Sequence, residues 1–319
     1  MPDSDVCVYI GEALGRYGFG MDHPFGPDRM GVFWDLAVEQ GLDKQVCVYQ
    51  PQQAQQDIIE RFHTHEYVER VKALSETGVG YLDYGDTPVV PGIYTAAAYV
   101  VGSSVDAMAR LMEGKCRRAF VPIAGLHHAR RDSAAGFCVF NDCGVVIESL
   151  RIQYSVQRIV YVDIDAHHGD GVYYSFIEDP QCFIVDVHED GRYLYPGTGN
   201  ADETGVGKAK GSKLNIPMPP GANDEAFFKV WPRIQTFIEN AEPEFILLQC
   251  GADSIGGDPI THLQFTPAVH YHTALNLCRI ADKIGHGRVL ATGGGGYDRP
   301  NLAAAWCAVI QAFIDSLPQ

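Results

Sequence analysis

The stretch of sequence richest in possible chemistry covers residues 161–171 and reads Tyr-Val-Asp-Ile-Asp-Ala-His-His-Gly-Asp-Gly. On extended backbone, side chains two residues apart point the same way, so Asp163, Asp165 and His167 would share one side at the end of a strand. Acids gathered there are costly unless a positive charge neutralises them, and a divalent cation does so directly. Carboxylate and imidazole ligands together suit zinc, and iron or another first-row metal remains an alternative.

A third metal ligand is expected from a neighbouring strand end, and Asp253 supplies one. It lies just beyond the apolar run 245–250, in the segment Gln-Cys-Gly-Ala-Asp. A set of Asp165, His167 and Asp253 would leave positions open for water and a substrate oxygen, which is typical of catalytic sites. For the Asp-x-Asp-x-His-His segment alone, helix capping or a structural ion remains the alternative.

Two adjacent histidines occur on the glycine-flanked loop 125–129, Gly-Leu-His-His-Ala. Beside a metal-bound water, His127 and His128 could act as general base and electrostatic partner. Such a pair needs carboxylates on its outer nitrogens, and Asp163 and Asp170 are available. Taken alone, the pair is equally compatible with ordinary hydrogen-bonded loop residues.

Residues 293–297, Gly-Gly-Gly-Gly-Tyr, form the third chemically suggestive segment. Consecutive glycines let a backbone approach another group closely and adopt positive φ. Tyr297 could then hydrogen-bond a developing oxyanion. A phosphate-binding loop is the rival interpretation, but the run lacks the lysine and the serine or threonine of a P-loop and has no GxGxxG spacing.

Alternating strands and helices must position these loops. The strand candidates are short and mostly apolar: 6–10, 46–49, 118–121, 158–164, 182–187, 245–250 and 288–292. The helix candidates are amphipathic: 27–40, 65–75, 91–113, 142–153, 224–240, 267–284 and 301–315, with Pro91 in a first turn and Gly114 at a C-terminal stop. This pattern predicts one α/β domain over residues 1–319, with a mostly parallel multi-stranded sheet, helices on both faces, and the site in loops at the carboxyl ends of the strands.

Composition narrows the class of partner. Hydrophobic residues make up 46% of the 319 residues and charged residues 20%, so a packed core is expected. A net charge of -16 disfavours nucleic acid and would tolerate cationic substrates such as lysine-rich segments or polyamines, although it also simply serves solubility.

Cysteine usage and the N-terminus predict a soluble, cytoplasmic protein with no membrane partner. The nine cysteines are scattered, odd in number and without a CxxC pair, as expected of buried thiols in a reducing compartment. The opening Met-Pro-Asp-Ser-Asp has no signal-peptide character, and no apolar run approaches membrane-spanning length.

The order of motifs resembles the arginase/deacetylase superfamily, specifically the zinc-dependent histone deacetylases. Gly-Leu-His-His, Gly-Phe-Cys-Val-Phe-Asn-Asp, Asp-Ile-Asp-Ala-His-His-Gly-Asp-Gly, Tyr-Pro-Gly-Thr-Gly, Gln-Cys-Gly-Ala-Asp-Ser and Gly-Gly-Gly-Gly-Tyr follow one another in that order. The resemblance covers nearly the whole chain from about Tyr17. Tyr-Gly-Phe-Gly-Met-Asp-His-Pro-Phe and His-Glu-Asp-Gly-Arg-Tyr-Leu-Tyr-Pro look most like the bacterial acetoin-utilisation deacetylases.

This resemblance implies a role for each matching residue. One zinc ion would be held by Asp165, His167 and Asp253. His128 would be the general base, paired with His127, and the catalytic set would be His127, His128, Asp163, Asp170 and Tyr297, with Tyr297 polarising the scissile carbonyl. The substrate-binding set would be Asp86 on the rim, Phe137 and Tyr195 as tunnel walls, and Gly136, Ile260 and Gly295, with Arg29 lining an acetate channel.

The resemblance also implies one or two potassium ions. The first would be held by Asp163, Asp165, His167, Asp186 and Val187, although Asp186 stands where class I members of the family usually have serine. The second would lie near Phe176, Asp179 and Cys182 and be held mainly by backbone oxygens.

The expected activity is hydrolysis of N-acyl amides, with acetylated lysine side chains of proteins as the first substrate class. The alternative is a small acylated amine, as in an acetylpolyamine amidohydrolase. Ile260 argues against the polyamine selectivity that a glutamate at this position gives one branch of the family. A non-catalytic acyl-binding protein is the third class, and it would be expected to have lost Tyr297, a histidine or a ligand. Acyl chain length and oligomeric state, including a homo-oligomer, stay open.

Overall fold

The computed structural model describes residues 5–318, and within them eight parallel strands form one sheet in the order β2-β1-β3-β8-β7-β4-β5-β6. The strands are β1 Val6–Tyr9, β2 Cys47–Tyr49, β3 Arg118–Val121, β4 Ile159–Asp163, β5 Cys182–Glu189, β6 Lys213–Met218, β7 Phe245–Gln249 and β8 Val289–Thr292. The predicted α/β class with a parallel sheet is therefore confirmed. The opening residues on which the signal-peptide prediction partly rested, 1–4, lie outside the described part.

Burial explains why most strands were readable from the sequence. Every residue of β1, β3, β4, β7 and β8 is buried, as expected of parallel strands covered on both faces. The sequence analysis missed β6, because its run Lys-Leu-Asn-Ile-Pro-Met mixes polar and apolar residues and contains Pro217. A proline is tolerated there because β6 lies at an edge of the sheet.

Ten α-helices are described in residues 5–318. They are α1 Glu12–Gly15, α2 Arg29–Glu39, α3 Gln56–Ile59, α4 His65–Thr77, α5 Ile93–Met112, α6 Asp142–Tyr154, α7 Asp170–Ser175, α8 Asp224–Ala241, α9 Pro267–Ile284 and α10 Arg299–Asp315. Helix α10 packs against both α2 and α9, and α5 packs on α6. No helix in this part of the chain has the length and apolarity needed to cross a bilayer.

Two boundary predictions on α5 had different outcomes. Gly114 has φ +69 just beyond the helix and ends it as expected. The prediction that Pro91 lies in the first turn was wrong, because the helix begins at Ile93 after the N-cap Gly92. Gly92 has φ +82, and this left-handed residue separates the proline from the helix.

The strand order brings the chemically suggestive loops to one edge. Strands β3, β8, β7 and β4 are consecutive neighbours. The loops after these four strands contain the histidine pair, the glycine run, Asp253 and the Asp165–His167 pair, respectively. All four loops leave the carboxyl ends of parallel strands, so they meet at the same edge of the sheet.

Candidate active site

Asp165, His167 and Asp253 converge at this edge. Ligand atoms from the three side chains all lie within 4.8 Å of one another, and all three residues are buried. His167 Nδ1 is 3.1 Å from Asp165 Oδ1 and 3.0 Å from Asp253 Oδ2. The Ala166 N–H donates to Asp253 Oδ1 at 2.8 Å, which holds the third acid toward the loop after β4.

The electrostatics of the Asp165, His167 and Asp253 cluster favour a bound cation. Burial and the neighbouring Asp165 raise the pKa of Asp253 to about 7. Although burial opposes the charged imidazole, Asp253 and Asp165 raise the pKa of His167 to about 10. Two buried acids thus draw a positive charge toward one shared point. A divalent metal with carboxylate and imidazole ligands meets that demand, so these residues fit zinc.

Close backbone approach around the acids explains the glycines. A Cβ at Gly251 would lie 1.9 Å from Asp165 Oδ2, and one at Gly295 would lie 2.2 Å from Asp253 Oδ2. The Gly295 N–H donates to Asp165 Oδ2 at 2.9 Å. The glycine run therefore packs against the acid cluster and leaves no room for side chains beside it.

The histidine pair is held from its outer nitrogens. His127 Nδ1 lies 2.8 Å from Asp163 Oδ2, and His128 Nδ1 lies 2.7 Å from Asp170 Oδ1. The two inner nitrogens, His127 Nε2 and His128 Nε2, are 3.1 Å apart. The structure thus brings together the two histidine–carboxylate pairs that the sequence analysis expected.

These environments separate the two histidines chemically. Although burial opposes its charged form, Asp163 and Asp165 raise the pKa of His127 to about 10. Burial and the neighbouring His127 lower the pKa of His128 to about 4. At neutral pH a charged imidazole then stands beside a neutral one, which leaves His128 free to accept a proton.

Two residues that the sequence analysis did not single out position the histidine loop. Asp142 is fully buried and accepts hydrogen bonds from the Gly125 and Leu126 N–H groups. Asn141 donates through Nδ2 to the His127 carbonyl at 3.3 Å, and its Oδ1 accepts from Gly144 N–H at the start of α6. The signal was available, because both residues end the Gly-Phe-Cys-Val-Phe-Asn-Asp motif.

Tyr297 follows the glycine run, and its ring is half-buried beside the cluster. The ring centroid lies 5.9 Å from that of Phe137. Asp258, another residue that the sequence analysis passed over, accepts from the Tyr297 N–H at 2.8 Å and from the Ile260 N–H at 3.0 Å. One carboxylate thus fixes the backbone of both Tyr297, the predicted carbonyl-polarising residue, and Ile260, a predicted substrate-binding residue.

A small cavity lies at the cluster and is lined by Gly136, Tyr297, both histidines and two of the metal-ligand candidates, Asp165 and His167. Phe137 adopts φ +66, with its carbonyl accepting from Tyr17 Oη at 2.7 Å. The Tyr195 ring lies 5.2 Å from the His128 ring. A Cβ at Gly136 would come within 2.5 Å of His128, so only glycine keeps the wall this close to the histidine.

Outside this cavity, a wider depression of about 680 Å³ is lined by Asp83, Asp86, Arg130 and Tyr195 among other residues. Asp86 is exposed there. Although the residue is exposed, its carboxylate is partly desolvated, and this desolvation and the neighbouring Asp83 raise the pKa of Asp86 to about 6. The predicted rim acid and the predicted tunnel wall Tyr195 thus border the same open space.

Arg29 lies on the inner side of the glycine run and is completely buried. Its Nε donates to the Gly296 carbonyl at 3.0 Å and its Nη2 to the Gly294 carbonyl at 2.6 Å. Its Nη1 is buried with no hydrogen-bond partner among the described residues, which leaves a donor for a small anion. Burial lowers the pKa of Arg29 to about 10, so the guanidinium stays charged at neutral pH.

The first predicted potassium site lies on adjacent strands. Asp163 on β4 is the register partner of Asp186 on β5, and both are fully buried. Asp163 Oδ2 accepts from Tyr161 Oη at 2.5 Å, while Asp186 Oδ1 lies 2.6 Å from His188 Nδ1. Val187 is the next residue on β5 and is buried as well.

The second predicted potassium site has a different occupant. The Phe176 carbonyl accepts from the Asp179 N–H at 3.1 Å. The Asp179 and Cys182 carbonyls both accept from the side-chain ammonium of Lys213, at 2.9 and 2.5 Å. The oxygens predicted to bind an ion are therefore already engaged within the protein, and they do not fit a second cation.

Comparison with known proteins shows first the fold class of this chain and then its family. A solved structure, the HD domain of HDA15, superposes with a TM-score of 0.88, covering 99% of this chain and 91% of that one; at 24% identity this likeness shows the fold. The histone deacetylase domain profile matches residues 23–313. The chain belongs to the histone deacetylase family, a family of hydrolases.

Two bacterial relatives and one fly relative show how far the similarity extends. The acetoin utilization protein AcuC of Bacillus subtilis is 35% identical over 88% of this chain and 75% of its own length. AcuC of Staphylococcus xylosus is 32% identical over 100% and 84%. Histone deacetylase HDAC1 of Drosophila melanogaster is 33% identical over 94% of this chain and 58% of its own length.

Proposed function

We propose that this chain is a zinc-dependent deacetylase that acts on acetylated lysine side chains of proteins. The observation that carries the proposal is the position of the histidine pair beside the predicted metal ligands, with His127 Nε2 3.9 Å from Asp165 Oδ1. Carboxylates hold the outer nitrogens of both imidazoles, at 2.8 and 2.7 Å. A simple acyl-binding protein would not need two carboxylate-held imidazoles beside three convergent ligand candidates. Family membership supports the reaction class, and the geometry supports the assignment of roles.

Zinc bound by Asp165, His167 and Asp253 would supply Lewis-acid polarisation of the substrate carbonyl and of the attacking water. Gln249 supports this ligand set from the outside, because its Nε2 donates to Asp165 Oδ2 at 2.9 Å. Its Oε1 accepts from the Gly251 N–H at 2.8 Å and so fixes the start of the Asp253 loop.

The protein's own residues then move the protons. Neutral His128 takes a proton from the attacking water, and Asp170 stabilises the charge that develops on its imidazole. Asp163 orients His127 through Nδ1 and favours its charged form next to the attack site. The Tyr297 hydroxyl donates a hydrogen bond to the carbonyl oxygen as negative charge develops there. The proton taken by the histidine pair is finally given to the leaving amine.

Arg29 suits the release of the second product. Acetate is a small anion, and Arg29 Nη1 is a buried donor with no partner among the described residues. Because the guanidinium lies against the glycine run that borders the cluster, a carboxylate leaving inward would meet it. Release by this route would keep the outer cavity free for the amine product.

The outer surface favours a protein lysine over a polyamine. Asp86 and Tyr195 border an open depression of about 680 Å³, which has room for chain on either side of a lysine. Ile260 adds no charge that would select a second amine. A small acetylated polyamine remains the alternative, and the net charge of -16 is the observation that favours it.

Metal analysis followed by a substrate panel tests the proposal. Purified protein should contain about one zinc per chain. It should turn over acetyl-lysine peptides with a higher kcat/KM than acetylputrescine or acetylspermidine. A preference for the polyamines would replace the substrate assignment. Full metal content with no activity on acetyl or longer acyl amides would refute the reaction class.

We also propose that one potassium ion binds at the first site, near Asp163, Asp165, His167, Asp186 and Val187. Two fully buried carboxylates, Asp163 and Asp186, face each other across β4 and β5 there. A monovalent cation would offset their charge beside the histidine pair. Carboxylate oxygens suit such a hard cation.

A further inference from the structure

Lys213 opens the edge strand β6 and is only 2% exposed, although it carries an ammonium group. Its Nζ donates to the Asp179 carbonyl at 2.9 Å, to the Cys182 carbonyl at 2.5 Å and to Ser212 Oγ at 2.9 Å. An ammonium group has three N–H donors, so every donor of this side chain has an acceptor. Full pairing of this kind is what makes a buried charge tolerable.

The three acceptors come from two segments of the chain, the connection from α7 into β5 and the residue before β6. Asp179 lies in the turn after α7, Cys182 begins β5, and Ser212 precedes β6. Their oxygens converge on one point, as ligands around a small monovalent cation do. The point is filled by a group of the chain itself, and a second positive charge a few ångströms away would be strongly repelled in this buried environment.

We propose that the Lys213 ammonium is a covalently tethered replacement for a second monovalent cation. The chain therefore has no potassium site near Phe176, Asp179 and Cys182, and the sequence-based expectation of a second ion there does not hold. Lysine at position 213 removes any dependence of this region on the salt around the protein.

The position of Lys213 connects it to the candidate active site through helix α7. The turn that contains Asp179 follows α7, and α7 begins at Asp170, the partner of His128. Arg151 Nη2 also lies 2.5 Å from Asp179 Oδ2, so this turn is held by two cationic side chains. The tethered ammonium holds the turn after the C-terminal end of α7 in place whether or not potassium is present.

Thallous ion, which substitutes for potassium and scatters X-rays anomalously, provides the direct test. The wild-type protein and the Lys213→Ser variant are crystallised and soaked in the same thallium salt. The variant should show one more anomalous peak than the wild type, located between the Asp179 and Cys182 carbonyls. A peak at that position in the wild type would overturn the proposal, and this arm needs no variant to fold.

Thermal unfolding supplies a second readout in solution. For Lys213→Ser, replacing choline chloride by potassium chloride should raise Tm by at least about 2 °C more than for the wild type, because an ion that binds only the folded state stabilises it. Lys213→Met fills the space with an apolar chain, so its Tm should fall without potassium rescue. Exposed Lys210→Ser is the matched control and should behave as the wild type. Equal potassium responses in Lys213→Ser and Lys210→Ser would contradict the tethered-cation role.

Discussion

The two ends of strand β5 handle buried polar groups in opposite ways. At its amino end, the carbonyl oxygens of Asp179 and Cys182 accept hydrogen bonds from an ammonium that belongs to the chain, that of Lys213. At its carboxyl end, Asp186 lies beside Asp163, and in the cluster beyond them, despite burial, Asp253 and Asp165 raise the pKa of His167 to about 10. The first end is complete without any added ion. The second end favours the protonated forms of His167 and Asp253. The same imidazole and carboxylate can bind a metal ion instead of protons.

The two ends thus contrast a cation that only stabilises the structure with one that takes part in the reaction. A tethered ammonium is always present, cannot be exchanged, and leaves no open position for a substrate. A bound metal leaves open positions for water and a carbonyl oxygen. The comparison therefore predicts that damage at the carboxyl end abolishes chemistry with little loss of folding, whereas damage at Lys213 lowers stability first.

The largest expected effect is at Asp253. Asp253→Ala removes one of two acids that share the metal point, so bound zinc should fall from about one per chain to near zero and deacetylation to background. Inductively coupled plasma mass spectrometry and a peptide assay measure both. Asp202→Ala, an exposed acid, is the matched control and should keep metal and activity. Stoichiometric zinc in Asp253→Ala would remove this residue from the ligand set.

The next effect separates chemistry from metal binding at the same end of the sheet. Tyr297→Phe deletes only a hydroxyl, so zinc content and Tm should stay as in the wild type. Loss of the hydrogen bond to the developing oxyanion should lower kcat by about 10²–10³-fold with a smaller change in KM. Steady-state kinetics on an acetyl-lysine peptide measure the split. A kcat within about twofold of the wild type would refute the role of the hydroxyl.

Sequence reasoning reached the parts of the molecule in which a residue's type reveals its role. The apolar strands were readable because burial on both faces makes them continuous, and strand ends then located the acids and histidines. Asp142, Asp258 and Gln249 were passed over because they act through backbone N–H groups and side chains supplied by distant loops. Gln249, for example, donates to the Gly125 carbonyl, 124 positions away.

Lys213 shows the same limit from another side. Its strand was missed because an edge strand need not be apolar, and a lysine in a mixed run is typical of exposed surface. Only the fold shows that Asp179, Cys182 and Ser212 surround its ammonium. Asp163 of the first proposed cation site was easier to single out, because it lies in the same short motif as Asp165 and His167.

The smallest expected effect lies outside both clusters, on the rim, where solvent reduces what any charge contributes. Asp86 has its pKa raised to about 6 by partial burial and Asp83, so it is mostly protonated at pH 5 and ionised at pH 7.5. If its carboxylate accepts a hydrogen bond from substrate backbone, KM for an acetyl-lysine peptide should fall roughly threefold as pH rises through 6, because a charged acceptor binds more strongly.

Asp86→Asn should lack this change. The ratio of the two KM values cancels titrations elsewhere in the site, since both proteins share them. A ratio that stays constant from pH 5 to 7.5 would contradict a role for the Asp86 carboxylate in substrate binding.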